Sequence, residues 1–170
     1  MDFRKAYDSL WIYGLWYALW QNGITGKLWR VIKHTYDHIE SKITFGDIET
    51  DYFTQNEGLK QGCVLAPLLF AVYINELKKL LDKSLLGVKL NDTLINGLFF
   101  ADDVVLITPD ENQLKGMLNI VNKFCRLWKM SVNENKSNIL IINKRVSKNR
   151  EWFVGNSLIK ESSEYKYLGY

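Results

Sequence analysis

The sequence predicts an α+β fold, and two observations carry that expectation. Hydrophobic residues recur at a helical period in some stretches and gather into short β-type runs in others. The elements then follow one another as helices, hairpin, helix, hairpin, helix and small strands. That order calls for an antiparallel sheet with helices packed on one face.

Asp8 is placed to cap a first helix over residues 9–21, which Asn22-Gly23 would end. A second helix fits residues 25–36, where Leu28, Val31, Ile32 and Tyr36 recur near period 3.6. Strands are expected at 41–45 and 51–55, joined through Gly46-Asp47. Pro67 suits the first position of a long helix reaching about residue 81. Its first half, 68–74, is apolar on every side and is predicted to be buried, while Glu76, Lys78, Lys79 and Asp82 put its second half in water. Strands follow at 87–90 and 94–100, with Asn91-Asp92 as the turn. Asp102-Asp103 interrupts the apolar run, which resumes as a strand over 104–107. Thr108-Pro109-Asp110-Glu111 reads as a capping box with Pro in the first turn. Leu114, Met117, Leu118, Val121, Cys125 and Trp128 form the stripe of the helix behind it. Short strands are expected at 139–142, 152–154 and 165–168.

Composition bounds the functions. At 170 residues the chain is long enough for one domain, 1–170, with a real core. Its hydrophobic fraction of 47% and aromatic fraction of 14% argue against a disordered chain. Core packing is the first use expected of the Trp and Tyr side chains. The net charge of +3 is mild for a protein that grips nucleic acid by electrostatics alone. Lys144, Arg145, Lys148 and Arg150 gather late, as a solvated loop or as a phosphate contact. Cys63 and Cys125 are too few and too far apart for a thiolate metal site, and two free thiols suit a reducing compartment. The charged opening residues do not resemble a signal peptide. The greasy run 10–20 is about eleven residues, short of the roughly 20 that a membrane span needs. His34 and His38 stand four apart, but no Glu or third ligand accompanies them, so a solvated face is favoured over zinc.

The sharpest local feature is Phe99-Phe100-Ala101-Asp102-Asp103-Val104-Val105-Leu106-Ile107. Two adjacent carboxylates stand between β-type runs. Neighbouring strand side chains point to opposite faces, which a turn can relax. Such a pair is costly to hold without a cation or water to screen it. Mg²⁺ takes carboxylate oxygens and keeps several waters. Alone, an Asp-Asp pair reads first as an ordinary turn, where Asp is favoured for local hydrogen bonding.

Four further blocks accompany it. Asp2-Phe3-Arg4-Lys5-Ala6-Tyr7-Asp8 opens the chain, and Gly58-Leu59-Lys60-Gln61-Gly62-Cys63-Val64-Leu65-Ala66-Pro67 lies in the middle. Asn133-Glu134-Asn135-Lys136-Ser137 and Tyr165-Lys166-Tyr167-Leu168-Gly169 follow the Asp pair. In this order and at these separations the five blocks resemble the reverse transcriptase family. The Phe-Ala-Asp-Asp and Gln-Gly-Cys-x-Leu-x-Pro forms resemble its non-LTR retrotransposon branch.

That resemblance implies a polymerase palm and the activity of an RNA-directed DNA polymerase. It implies Asp2 and Asp102 as metal-binding carboxylates, supported by Asp103, with the Phe3 carbonyl as a further ligand. Two Mg²⁺ ions roughly 4 Å apart, or Mn²⁺ in their place, would share the work. Tyr7 would sit beneath the incoming sugar and reject a 2′-hydroxyl by bulk, or serve as a core aromatic. Gln61 and Gly62 match the segment lining the nucleotide and template, with Gly62 letting the backbone approach closely. Lys136 matches a lysine near the leaving phosphate, or is an ordinary surface lysine. Tyr167, Leu168 and Gly169 match the hairpin that grips the primer. The partners implied are an RNA template, a DNA primer and deoxynucleoside triphosphates, in the nucleus or cytoplasm.

The family's catalytic Asp normally ends a strand, whereas Asp2 has only Met1 before it. Fingers upstream and a thumb downstream are expected to lie outside the chain. A second reading therefore stays open: a non-catalytic palm that binds nucleic acid or another protein.

Overall fold

The computed structural model describes residues 1–37, 39–60, 62–142, 150–166 and 168. The chain divides into two compact units, residues 5–73 and residues 1–4 with 74–170.

In the unit of residues 5–73, helix α1 (Ile12–Gln21) begins later than the sequence suggests. Residue 8 is no cap: Trp11 precedes the helix, and no side chain caps it. The physical reason lies in the carbonyls of the preceding turn. Leu59 donates to the Tyr7 carbonyl at 2.7 Å and Gly58 to that of Leu10 at 2.9 Å. Acceptors used across the fold are unavailable along a helix. Asn22-Gly23 does end α1, with Gly23 at φ +81° and Ile24 donating back to the Leu19 carbonyl at 3.0 Å. Helix α2 (Gly26–His34) follows, and Trp29 Nε1 donates to the Trp16 carbonyl at 3.1 Å. Trp16 also meets Trp29 and Tyr36 edge-on, at 6.4 and 5.9 Å between ring centres.

Next comes a hairpin of β1 (Glu40–Ser41), β2 (Thr44–Phe45), β3 (Ile48–Glu49) and β4 (Phe53–Thr54). Its returning strand starts at Ile48, earlier than expected, because Gly46-Asp47 makes a two-residue turn. Pairing of Thr44 with Glu49 but Ser41 with Phe53 leaves one extra residue on the returning side, a bulge. Helix α3 (Ala66–Ser84) spans the boundary between the units. Its first half is not buried all round: Leu69, Phe70, Tyr73 and Ile74 are covered, but Leu68 is 65% exposed. Neighbouring elements cover one side of the helix, and an apolar composition does not by itself create a second cover.

In the other unit, β5 (Val88–Leu90) pairs with β6 (Thr93–Ile95), and β7 (Gly97–Phe100) with β8 (Asp103–Leu106). The single strand expected at 94–100 is broken at Asn96. Its side-chain amide donates to Asp82 at 2.7 Å and its carbonyl accepts from Ile107 at 3.0 Å. Helix α4 (Glu111–Leu127) is capped by Asp110, whose carboxylate accepts from the Gln113 backbone at 2.9 Å while the Gln113 amide reaches back at 3.1 Å. Pro109 thus precedes the cap instead of sitting in the first turn. The helix ends with Lys129 at φ +51° and Met130 donating to the Cys125 carbonyl at 3.0 Å. Its buried face, Met117, Leu118, Val121, Phe124 and Cys125, includes most of the expected stripe.

The last sheet orders β10 (Trp152–Val154), β11 (Ser157–Ser162) and β9 (Asn138–Leu140), with β11 antiparallel to β10 and parallel to β9. No strand covers Tyr165 and Lys166, and Leu168 lies in a turn. The α+β class stands. Among the described residues, though, the β-structure is split into small hairpins and one mixed sheet, not one antiparallel sheet. Among those residues no helix is long and apolar enough to cross a membrane.

Candidate active site

Residues 1–4 form a short extended segment with partners on both edges. On one side the Met1 terminal ammonium donates to the Val104 carbonyl at 2.8 Å and the Val104 N–H donates to the Met1 carbonyl at 3.0 Å. On the other, Phe3 forms an antiparallel bridge with Val132. There Arg4 donates to Ser131 at 2.8 Å and Asn133 to the Asp2 carbonyl at 2.9 Å. Phe3 is 2% exposed and meets Phe124 of α4 edge-on at 6.3 Å, so the core anchors this segment.

The reciprocal pair decides where Asp2 goes. One residue beyond an antiparallel hydrogen-bonded pair lies a non-hydrogen-bonded pair, about 4.5 Å apart at Cα, with side chains on one face. Beyond Met1 and Val104 that pair is Asp2 and Asp103. Val104 is fully buried, so the alternation turns Asp103 and Asp2 to the opposite, open face. The Met1 ammonium senses both carboxylates. Burial pulls its pKa down, and the charges of Asp103 and then Asp2 oppose that fall.

Asp102 occupies the turn. Phe100 pairs with Asp103, leaving Ala101-Asp102 as a two-residue loop. Of these two, Ala101 alone has a positive φ, +50°. That is the pattern of a type II′ turn, whose first central position favours glycine. An alanine held there stores strain of order 1 kcal/mol, of the kind that gathers at functional sites.

The segment after Val132 closes the other side. Lys136 donates its backbone N–H to the Asn133 carbonyl at 3.1 Å, forming a turn, and its side chain is exposed. Ser137, only 2% exposed, accepts the Asp2 N–H at 3.0 Å. Arg4 makes two bonds to the Glu134 carboxylate, at 2.7 and 2.8 Å.

Among the described residues, no three Asp, Glu, His or Cys side chains are assembled to enclose a metal ion. The backbone pairing makes Asp2 and Asp103 neighbours across two strands, with Asp102 in the adjoining turn. No hydrogen bond or salt bridge among the described residues occupies these three side chains. Oxygen donors of this number suit Mg²⁺, which binds through one or two carboxylates and keeps its waters. Carboxylate oxygen is the donor chemistry that a hard divalent cation takes. A mostly apolar cavity of about 550 Å³ opens beside this segment, lined by Met1, Val104, Ile107, Leu114, Ser137 and Trp152 among others, and none of the three carboxylates lines it.

Tyr7 and Gly62 belong to the unit of residues 5–73. Tyr7 is half-buried and stacks on Phe70 at 4.6 Å. Gly62 has φ +79° and open space where a Cβ would stand, whereas Gly58, at φ +84°, is pressed against the Asp8 backbone. Gln61, Tyr167 and Gly169, with His38, Lys144, Arg145 and Lys148, lie outside the described residues, and Leu168 is exposed. Sequence reasoning missed Ser137, Asn133 and Glu134 as partners of the Asp2 segment. The Asn133–Ser137 block was visible, but nothing local told which peptide it would hold.

The family described as reverse transcriptase (RNA-dependent DNA polymerase) matches over residues 1–170. The Pol polyprotein of the type-2 retrotransposable element R2DM of Drosophila melanogaster is 27% identical over 178 residues, covering 99% of this chain and 17% of that protein. The RNA-directed DNA polymerase from the mobile element jockey of Drosophila funebris is 22% identical, covering 99% and 19%. A Pol polyprotein of a type-1 retrotransposable element R2 of Popillia japonica is 31% identical, covering 81% and 20%. The chain thus spans about a fifth of the length of these relatives.

Proposed function

We propose, from the premise that this chain belongs to the reverse transcriptase (RNA-dependent DNA polymerase) family, that it is the palm of a longer non-LTR retrotransposon polymerase. The reaction is templated addition of a deoxynucleotide to a primer 3′-hydroxyl. The observation that carries the reading is the Met1–Val104 backbone pair, which sets Asp2 beside Asp103 at the rim of the Asp102 turn.

The chain's own residues divide the task. Asp2, Asp103 and Asp102 supply anionic oxygens on an open edge, and the Phe3 carbonyl adds a neutral one. Divalent cations bound there would neutralise the transferring phosphates and raise the acidity of the primer hydroxyl. The acidic edge orients the hydroxyl and the triphosphate in line, and positioning supplies most of the rate. Lys136 serves the leaving phosphate as a proton donor. Tyr7 bears on the sugar, and Gln61 with Gly62 on the base pair. Tyr167, Leu168 and Gly169 hold the primer strand.

The test is primer extension by the full chain on an RNA template with Mg²⁺, beside the variant Asp102→Ala. Metal-dependent, templated extension that is lost in the variant supports the polymerase reading. Extension that ignores the template would replace this reading with untemplated nucleotidyl transfer. No extension by either protein would leave a nucleic-acid-binding palm without catalysis.

A further inference from the structure

A hydroxyl buried as deeply as that of Ser137, 2% exposed, must find partners inside the protein. Its partners are the two polar groups of the Asp2 backbone. The Asp2 N–H donates to Ser137 Oγ at 3.0 Å, and the Asp2 carbonyl lies 3.5 Å from the same hydroxyl, which donates to it. The Asn133 N–H donates to that carbonyl too, at 2.9 Å. One turn therefore holds both backbone groups of a residue 135 positions away in sequence.

The turn is itself fixed at both ends. Glu134 is tied to Arg4, two residues beyond Asp2, by the paired bonds described above. Asn138, next to Ser137, opens β9 and pairs with Lys160 of β11. Along residues 1–3 the backbone alternates its edges: Met1 bonds to Val104, and Asp2 bonds to the turn. The offset between the Asp2 and Asp103 carboxylates is thus set from two sides, by Val104 and by Ser137.

We propose that Ser137 is a positioning residue for the metal-binding edge, acting through the Asp2 backbone to set the spacing of the Asp2 and Asp103 carboxylates. This rests on the reading of those carboxylates as cation ligands. A serine hydroxyl can accept from the N–H and donate to the carbonyl at once. Threonine keeps both capacities, cysteine has only weak ones, and alanine has none.

The experiment is Mn²⁺ binding to the full chain, followed by the electron paramagnetic resonance signal of the free ion. Wild type is compared with Asp103→Asn, Ser137→Ala, Ser137→Cys and Ser137→Thr. Binding is expected to be lost in Asp103→Asn and held within about twofold in Ser137→Thr. It should weaken roughly five- to tenfold in Ser137→Ala and Ser137→Cys, the factor one hydrogen bond represents. Wild-type affinity in folded Ser137→Ala and Ser137→Cys, with binding still lost in Asp103→Asn, overturns the positioning role alone. Binding that Asp103→Asn leaves intact overturns the metal reading beneath it. Exchange of the Asp2 amide in wild-type protein reads the geometry without any substitution. The proposal requires it to be protected, and exchange at the rate of a free chain end overturns it.

Discussion

Gly58→Ala is a stringent test of how the 58–59 loop docks on the turn that holds Tyr7. At Gly58 the chain adopts φ +84°, and an added Cβ would stand 2.4 Å from the Asp8 carbonyl oxygen and 2.9 Å from its carbon. Both are backbone atoms, so no side-chain rotation relieves the contact. The left-handed conformation costs an L-residue about 1–2 kcal/mol on its own. Moving the loop away weakens two hydrogen bonds, Gly58 to Leu10 at 2.9 Å and Leu59 to Tyr7 at 2.7 Å. At about 1 kcal/mol net for each, the loss comes to roughly 3–4 kcal/mol. Gly62→Ala is the internal control. Its φ is +79°, yet nothing lies within 4 Å of its Cβ position, so only the conformational cost of about 1–2 kcal/mol applies. Urea unfolding followed by Trp fluorescence measures both. A difference of about 2 kcal/mol between the variants is expected. Equal losses would refute the reasoning, because the clash would then contribute nothing.

Three more outcomes follow from the same structure. Asp110→Ala removes the cap of α4 and its cross-bond to Gln113, and should cost about 1 kcal/mol in urea unfolding; no change would mean that the helix end is satisfied otherwise. Burial pushes the Cys125 thiol up to about 12, so iodoacetamide at neutral pH should label Cys63 in native protein and both thiols after unfolding. Equal native labelling, read by mass spectrometry, contradicts the burial of Cys125. Glu134 accepts from its own backbone N–H and from Arg4, which hold its pKa below the ordinary 4.5. A lowered folded value contributes stability above the unfolded pKa that is lost as pH falls through the folded one. Glu134→Gln should therefore flatten the decline of melting temperature below about pH 4.5; an unchanged slope would remove Glu134 from that decline.

Local chemistry was legible in the sequence, and long-range pairing was not. The stripe of α4 repeats at the helical period, and β10 was found at its observed limits, because both signals lie within a few neighbouring residues. The start of α1 was misplaced because its competing hydrogen bonds come from Gly58 and Leu59. The division of 94–100 depended on Asp82, a partner 14 positions before Asn96. β11 went unnoticed although Gly155, at φ +60°, marks the turn before it. Its residues Ser157–Ser162 mix polar and apolar side chains, and Trp152 donating to Glu161 at 2.9 Å is a tertiary contact. The same limit holds at the candidate site. Asp102-Asp103 stood out as a motif and Asp2 as part of another. The backbone pair that makes Asp2 face Asp103 joins Met1 to Val104, 103 residues apart. Ser137 ends the 133–137 block in the sequence, and its bond to the Asp2 peptide spans 135 positions.

The most direct measurement is paramagnetic broadening of backbone amide signals by substoichiometric Mn²⁺ in the full chain. A shared ion at the Asp2–Asp103 edge predicts that the amides of Asp2, Phe3, Asp102, Asp103 and Val104 broaden together, at the lowest Mn²⁺ additions. Broadening that spares Asp2 while striking Asp102 and Asp103, or that begins elsewhere in the chain, would contradict a common cation site.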